Sequence, residues 1–89
     1  MIAKEIEIKN KLGLHARAAA KLVHTAARFK SSIKIKKGDE EVDGKSILGI
    51  LLLAAGRGSM ITLKVDGPDE ADAVDAIEKL IEAKFDESE

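Results

Sequence analysis

Cysteine is absent from this 89-residue chain, which removes disulfides, thiolate metal sites and cysteine nucleophiles. Tryptophan and tyrosine are absent as well, and the only aromatic side chains are Phe29 and Phe85. Proteins that bind nucleic acids usually pair a basic excess with stacking aromatics. Here 15 basic residues face 16 acidic ones, a net charge of −1, so that class is set aside. No hydrophobic run is long. Ile47 to Ala55 is interrupted by Gly49, and a membrane span needs about 20 apolar residues. The N-terminus has no charged start, apolar stretch and small-residue cleavage site in the manner of a signal peptide, so the cytoplasm is the expected location. Histidine occurs only at His15 and His24. Acid–base or nucleophilic chemistry near neutral pH therefore has very few side chains to draw on.

What remains is 45% hydrophobic and 35% charged, the balance of a folded globule rather than a disordered segment. One domain over residues 1–89 is expected, in which about 60–65% of the unfolded chain's surface is buried. Ile2, Ile6 and Ile8 share one face of a first strand, with Lys4 oddly on the same side. From Ala16 to Phe29 the period turns helical, with Ala19, Leu22, Val23, Ala26 and Phe29 facing inward. Ile33 and Ile35 mark a second strand, Lys37-Gly38-Asp39-Glu40 a hairpin turn, and Val42 the inward residue of a short return strand. Ser46 is placed to cap a short helix beginning at Ile47. A fourth strand alternates through Ile61, Leu63 and Val65, and Asp69 is the expected N-cap of a last helix facing inward through Ala73, Val74, Ile77, Leu80 and Ile81. Asp86 to Glu89 reads as a frayed, charged tail. The order predicts an α+β fold: a two-layer open-faced sandwich, with a four-stranded antiparallel sheet covered on one face by three helices.

The chemistry points to Gly13-Leu14-His15-Ala16-Arg17, where a loop turns into a helix. The first turn of a helix presents backbone N–H groups without intrahelical partners, and the macrodipole adds partial positive charge. Such an end receives anions. Gly13 permits close approach, Ala16 leaves the N–H groups of Ala16 and Arg17 uncovered, and Arg17 offers a forked, permanently charged donor. Positive surroundings disfavour the imidazolium form of His15, which leaves a neutral, nucleophilic ring. A phosphoryl group accepted there would be held by charge-assisted hydrogen bonds. The same residues also fit a loop histidine beside a solvated arginine.

His24 falls about half a turn around the helix from His15, so the two cannot share a metal ion or a proton. With Arg17, Lys21 and Arg28 it forms a basic stripe, read either as a solvated face or as the edge of a docking surface for acidic proteins. Gly44-Lys45-Ser46 imitates the end of a phosphate-binding loop, but Asp39 stands where the pattern requires glycine, and that reading is rejected. Ile47, Leu48, Leu51 and Leu52 cannot all point inward from a short helix. They are either core or an exposed partner surface.

The chain resembles the HPr phosphocarrier family of the bacterial phosphoenolpyruvate-dependent phosphotransferase system. The resemblance runs through Gly13-Leu14-His15-Ala16-Arg17, through Lys45-Ser46-Ile47-Leu48-Gly49-Ile50-Leu51, and through the Ala55-Gly56-Arg57-Gly58 turn. It implies that His15 accepts a phosphoryl group on Nδ1 from enzyme I and passes it to a IIA-type domain, with Arg17 steadying the phosphate. It implies docking through Lys21, His24, Ile47, Leu48, Leu51 and Leu52, and regulation at Ser46 by HPr kinase/phosphorylase. The expectation is a monomeric carrier rather than an enzyme in its own right, without a cofactor, a metal site, nucleic-acid binding or membrane insertion. Ala18 departs from the family, where proline is usual. A mainly regulatory or nitrogen-branch carrier working through phospho-His15 or phospho-Ser46 is the alternative, and a non-catalytic binding module of similar architecture is a third reading.

Overall fold

A computed structural model describes residues 1–86 of the chain. The elements are β1 (Ile2–Glu7), α1 (Ala16–Ala26), β2 (Ser32–Lys37), β3 (Glu40–Asp43), α2 (Ile47–Leu53), β4 (Met60–Asp66) and α3 (Glu70–Glu82), followed by a tight turn at Lys84–Asp86. The strands form one antiparallel sheet in the order β1-β4-β2-β3. Period-two alternation sets its register. Ile2, Val65 and Ile33 line up across three strands, as do Leu63, Ile35 and Val42. These rows carry the apolar face, and the buried side chains of the three helices close over it as the second layer.

Lys4 does lie in the inner-face row, paired across the sheet with Leu63. Its long stem carries the ammonium out to Glu78 of α3, 2.7 Å away, so an amphipathic side chain spans the apolar edge and ends in an ion pair. Lys9 makes the equivalent link to Glu82 at 2.6 Å.

Four sequence expectations are corrected. β1 ends at Glu7 rather than Ile8, although Ile8 is buried and continues the pairing through Ser59 O and Gly58 N. α1 stops at Ala26, short of Phe29. The N–H groups of Lys30 and Ser31 are taken by the Asp69 carboxylate at 2.9 Å each, which draws the chain out of the helical path. Asp69 therefore occupies the N-cap position of α3 without making the expected cap bond, because its oxygens are committed to Lys30 and Ser31. Finally, Asp86 belongs to a defined turn, while positions 87–89 of the expected frayed tail lie outside the described residues.

That turn also holds a core residue with no period to reveal it. Phe85 is fully buried. Lys84, Phe85 and Asp86 all have positive φ, between 55° and 62°, a costly conformation for residues with a Cβ. The buried ring and a 2.6 Å hydrogen bond from Lys21 Nζ to the Phe85 carbonyl hold it in place.

Candidate functional site

The site is assembled where the loop after β1 meets the ends of α1 and α2. Asn10 is fully buried, and its Nδ2 donates to the Gly13 carbonyl at 2.7 Å while Gly13 N donates back to the Asn10 carbonyl. Gly13 takes φ +66°, a conformation that favours glycine. The loop is then fixed to the end of α2 by Leu14 N, which donates to the Ala55 carbonyl at 2.9 Å.

His15 follows, and the structure makes it the N-cap of α1 itself. Its backbone is extended (φ −76°, ψ 179°), and its Nδ1 accepts from the Arg17 N–H at 3.3 Å. A ring nitrogen that accepts carries its lone pair, so the proton of the neutral ring sits on Nε2. The bond is longer than the usual N–H···acceptor distance, which makes it a loose one. His15 is half-buried, whereas Ala16 and Arg17 are exposed. Ala18, fully buried, puts its methyl group into the core at the third helical position. Unlike a proline there, it retains an N–H in the helix's first turn.

α2 lies alongside α1 and runs the opposite way. At one end Lys45 Nζ donates to the Phe29 carbonyl beyond α1, at 2.8 Å. At the other, the chain just past α2 holds the loop that delivers His15. Ser46 caps α2, its Oγ accepting from Gly49 N at 3.1 Å. Only Ile50 and Leu53 of this helix are fully buried. Leu48 and Leu52 are 67% and 65% exposed, and Ile47 and Leu51 are exposed too. The two sequence readings of this segment are thereby separated: its four other large apolar residues form a surface patch. Glycine at position 49 lets α2 settle on β3, since a Cβ there would lie 3.2 Å from Val42.

The remaining site expectations divide. His24 is exposed and borders an open groove with Leu80 and Asp86. Lys21 is half-buried, and its bond to Phe85 O gives it a structural task that its place in a basic stripe did not suggest. Sequence reasoning placed Asn10, Lys11 and Gly13 in a loop but missed the scaffolding role of Asn10 and the exposure of Leu12. Among the described residues no cluster of His, Asp and Glu is arranged to hold a metal ion, and no helix is long and apolar enough to cross a membrane.

The geometry can now be set beside known proteins. A family model described as the PTS HPr component phosphorylation site matches residues 2–83. The phosphocarrier protein HPr of Cupriavidus necator is 51% identical over 89 residues, covering both chains completely. A crystal structure of HPr from Thermoanaerobacter tengcongensis superposes with a TM-score of 0.96 at 46% identity, again over the whole of both chains. A second structure from that organism, solved as an HPr dimer, gives 0.79 at 49% identity over 92% of this chain and 94% of the other. On the family match, the full-length relatives and the shared fold together, the chain belongs to the HPr family of phosphocarrier proteins of the phosphotransferase system.

Proposed function

We propose that the chain accepts a phosphoryl group from phosphorylated enzyme I on His15 Nδ1 and passes it to a IIA-type domain. The observation that carries this reading is the His15 Nδ1 lone pair held against the Arg17 N–H at the start of α1. Attack requires the ring to turn off that N–H. The lone pair then forms a bond to phosphorus while the bond from phosphorus to the donor breaks, its electron pair staying with the donor. The proton on Nε2 remains in place during attack, so positive charge builds on the ring opposite the incoming anion. The Arg17 N–H left behind, with that of Ala16, faces the phosphoryl oxygens at a helix end suited to anions. The exposed Arg17 guanidinium adds a charge-assisted donor. Each contribution is modest, about 0.3–1 kcal/mol for the helix dipole, which suits a carrier that must also release its cargo.

A protein that presents one side chain to successive active sites needs no cleft of its own. Ile47, Leu48, Leu51 and Leu52 supply the apolar contact with both partners, next to the basic stripe of Arg17 and His24. In this reading a single copy of the chain holds every group the transfer uses, and a monomer suffices. The surroundings of Ser46 favour a regulatory role besides. A phosphate on its Oγ adds about −1.5 to −2 charges at the start of the docking face, and it repels an acidic partner there.

Incubation with enzyme I and phosphoenolpyruvate tests the reading. The expected product is an acid-labile, alkali-stable phosphoprotein that His15→Ala no longer forms. An adduct that persists in the variant, or none in the unaltered chain, overturns it.

A further inference from the structure

The carbonyls at the C-terminal end of a helix have no intrahelical donors, and the macrodipole places partial negative charge on them. The last turn of α2 contains no basic residue of its own. The cation comes from β2 instead. Lys37 Nζ lies 3.4 Å from the Leu53 carbonyl oxygen and 3.4 Å from that of Ala54. Both distances exceed those of a tight N–H···O bond, so one ammonium is shared between two carbonyls and held largely by charge. Period-two alternation puts it there. Lys37 has the parity of Ile33 and Ile35, which are buried. Its side chain therefore leaves the sheet on the helix-covered side, and the half-buried residue reaches the end of α2.

The backbone that this ammonium spans is strained. Ala54, the C-cap of α2, has φ 51° and ψ 40°, the left-handed region that a Cβ makes costly. Its methyl group is exposed, so burial of that group offsets none of the cost. With Ala54 in the right-handed region instead, α2 would run on by a residue and the Ala55 carbonyl would point elsewhere. That carbonyl accepts from Leu14 N at 2.9 Å, one residue before His15. The end of α2 thus has two local arrangements, and the strained one is the one that meets Leu14. The carbonyls of Leu53 and Ala54 belong to the two peptide units on either side of the Ala54 Cα. A cation bridging them fixes φ and ψ of that residue together.

We infer that Lys37 is a positioning residue for phosphoryl uptake. Its charge clamps the two peptide units around Ala54, which keeps the Ala55 carbonyl on Leu14 N and the His15 ring in register at the head of α1. Small displacements of a reacting group are enough to slow a transfer. Lys37 acts through Leu14, its own ammonium being committed to the end of α2. The inference rests on the carrier reading and adds to it a residue from the far end of β2.

Lys37→Met, which keeps an unbranched stem and removes the charge, is compared with Lys37→Arg and with the double variant Lys37→Met/Ala54→Gly. Transfer from phosphorylated enzyme I is measured against carrier concentration, and hydrogen exchange at the Leu14 amide is followed without a donor. Melting curves above the assay temperature exclude unfolding as the cause of any loss. In Lys37→Met, kcat falls about two- to fivefold, the range set by one charge at a helix end. KM is unchanged, and the Leu14 amide exchanges faster. Lys37→Arg keeps the charge and retains both kcat and the slow exchange. Ala54→Gly removes the cost of the left-handed region, so the double variant regains kcat without the lysine. An unchanged kcat in Lys37→Met, a loss confined to KM, an unaltered Leu14 exchange rate, or a double variant no faster than Lys37→Met overturns the inference alone. If the unaltered chain takes up no phosphoryl group, the carrier reading and this inference fall together.

Discussion

Gly13 shows how one residue without a side chain places the one that matters. At φ +66° a Cβ would stand 2.5 Å from the Ala55 carbonyl oxygen and 2.7 Å from Gly56 Cα. Both are backbone atoms that cannot swing aside. Gly13→Ala should therefore destabilise by about 1–2 kcal/mol from the left-handed backbone alone, and the clash adds to that. For a domain of this size each kcal/mol lowers the melting temperature by about 4–8 °C. Phosphoryl uptake should slow as well, because the loop that delivers His15 must move off α2. Gly58→Ala is the control. It has φ +87° with nothing within 4 Å of its Cβ, so it should show the backbone cost in a melting curve and little change in uptake. At this scale the sequence was legible in part. His15 and Arg17 stood out because a helix start offers unpartnered N–H groups to an anion, although the same residues also fitted a loop histidine beside a solvated arginine. The capping bond from Arg17 N to the His15 ring did not, because it depends on a side-chain rotation that no spacing encodes.

Between elements, Asp69 ties the entry of α3 to the start of β2. Its carboxylate accepts from the N–H groups of Lys30 and Ser31 and from the Ser31 hydroxyl. These bonds, led by that of Ser31 Oγ, hold its pKa down at about 2 against an ordinary 3.8. A carboxyl group with a depressed pKa in the folded state stabilises fully above its unfolded value, and the contribution is lost as pH falls towards the folded one. Stability should therefore decline as pH drops from 3.8 towards 2, and Asp69→Asn should flatten that part of the acid limb. Urea unfolding midpoints of the two proteins across this range check it; parallel acid limbs would contradict the assignment. The sequence located Asp69 at the head of the helix correctly, since Gly67-Pro68-Asp69 is a strong start signal. What it could not give was the competitor. Lys30 and Ser31 lie nearly forty positions earlier, and only the packing of the sheet brings their N–H groups within reach of the carboxylate.

For the molecule as a whole, charge is segregated along the chain, basic from Ile8 to Gly38 and acidic from Asp66 onward. Part of the acidic block is spent internally, on Lys4, Lys9 and the N-terminal amine, through Glu78, Glu82 and Glu70. The Arg17 side chain beside His15 is exposed and placed to steer an encounter. Steering of this kind weakens once the screening length falls to about 8–10 Å near physiological salt. The second-order rate of phosphoryl uptake should therefore fall steeply as sodium chloride is raised, while the melting temperature changes little because exposed ion pairs contribute weakly to stability. Stopped-flow transfer measured at several salt concentrations would decide it, and a salt-independent rate would remove electrostatic steering from the account.

The sequence by itself determined the element order, the two-layer arrangement and the place of His15 at a helix start. Alternating isoleucines, a helical alanine run and a histidine at a helix start are local patterns, and local patterns are written in consecutive residues. Tertiary structure decided which surfaces remained open. Whether Leu48 and Leu52 were core or patch depended on how much of α2 the sheet could cover. The turn that buries Phe85 is tied to α1 by Lys21, whose Nζ donates to the Phe85 carbonyl. The position of Leu12 beside the end of α2 came from a hydrogen bond between residues 14 and 55. Each of these follows from chain segments distant in sequence competing for the same limited apolar space, a contest settled only when the whole chain has folded.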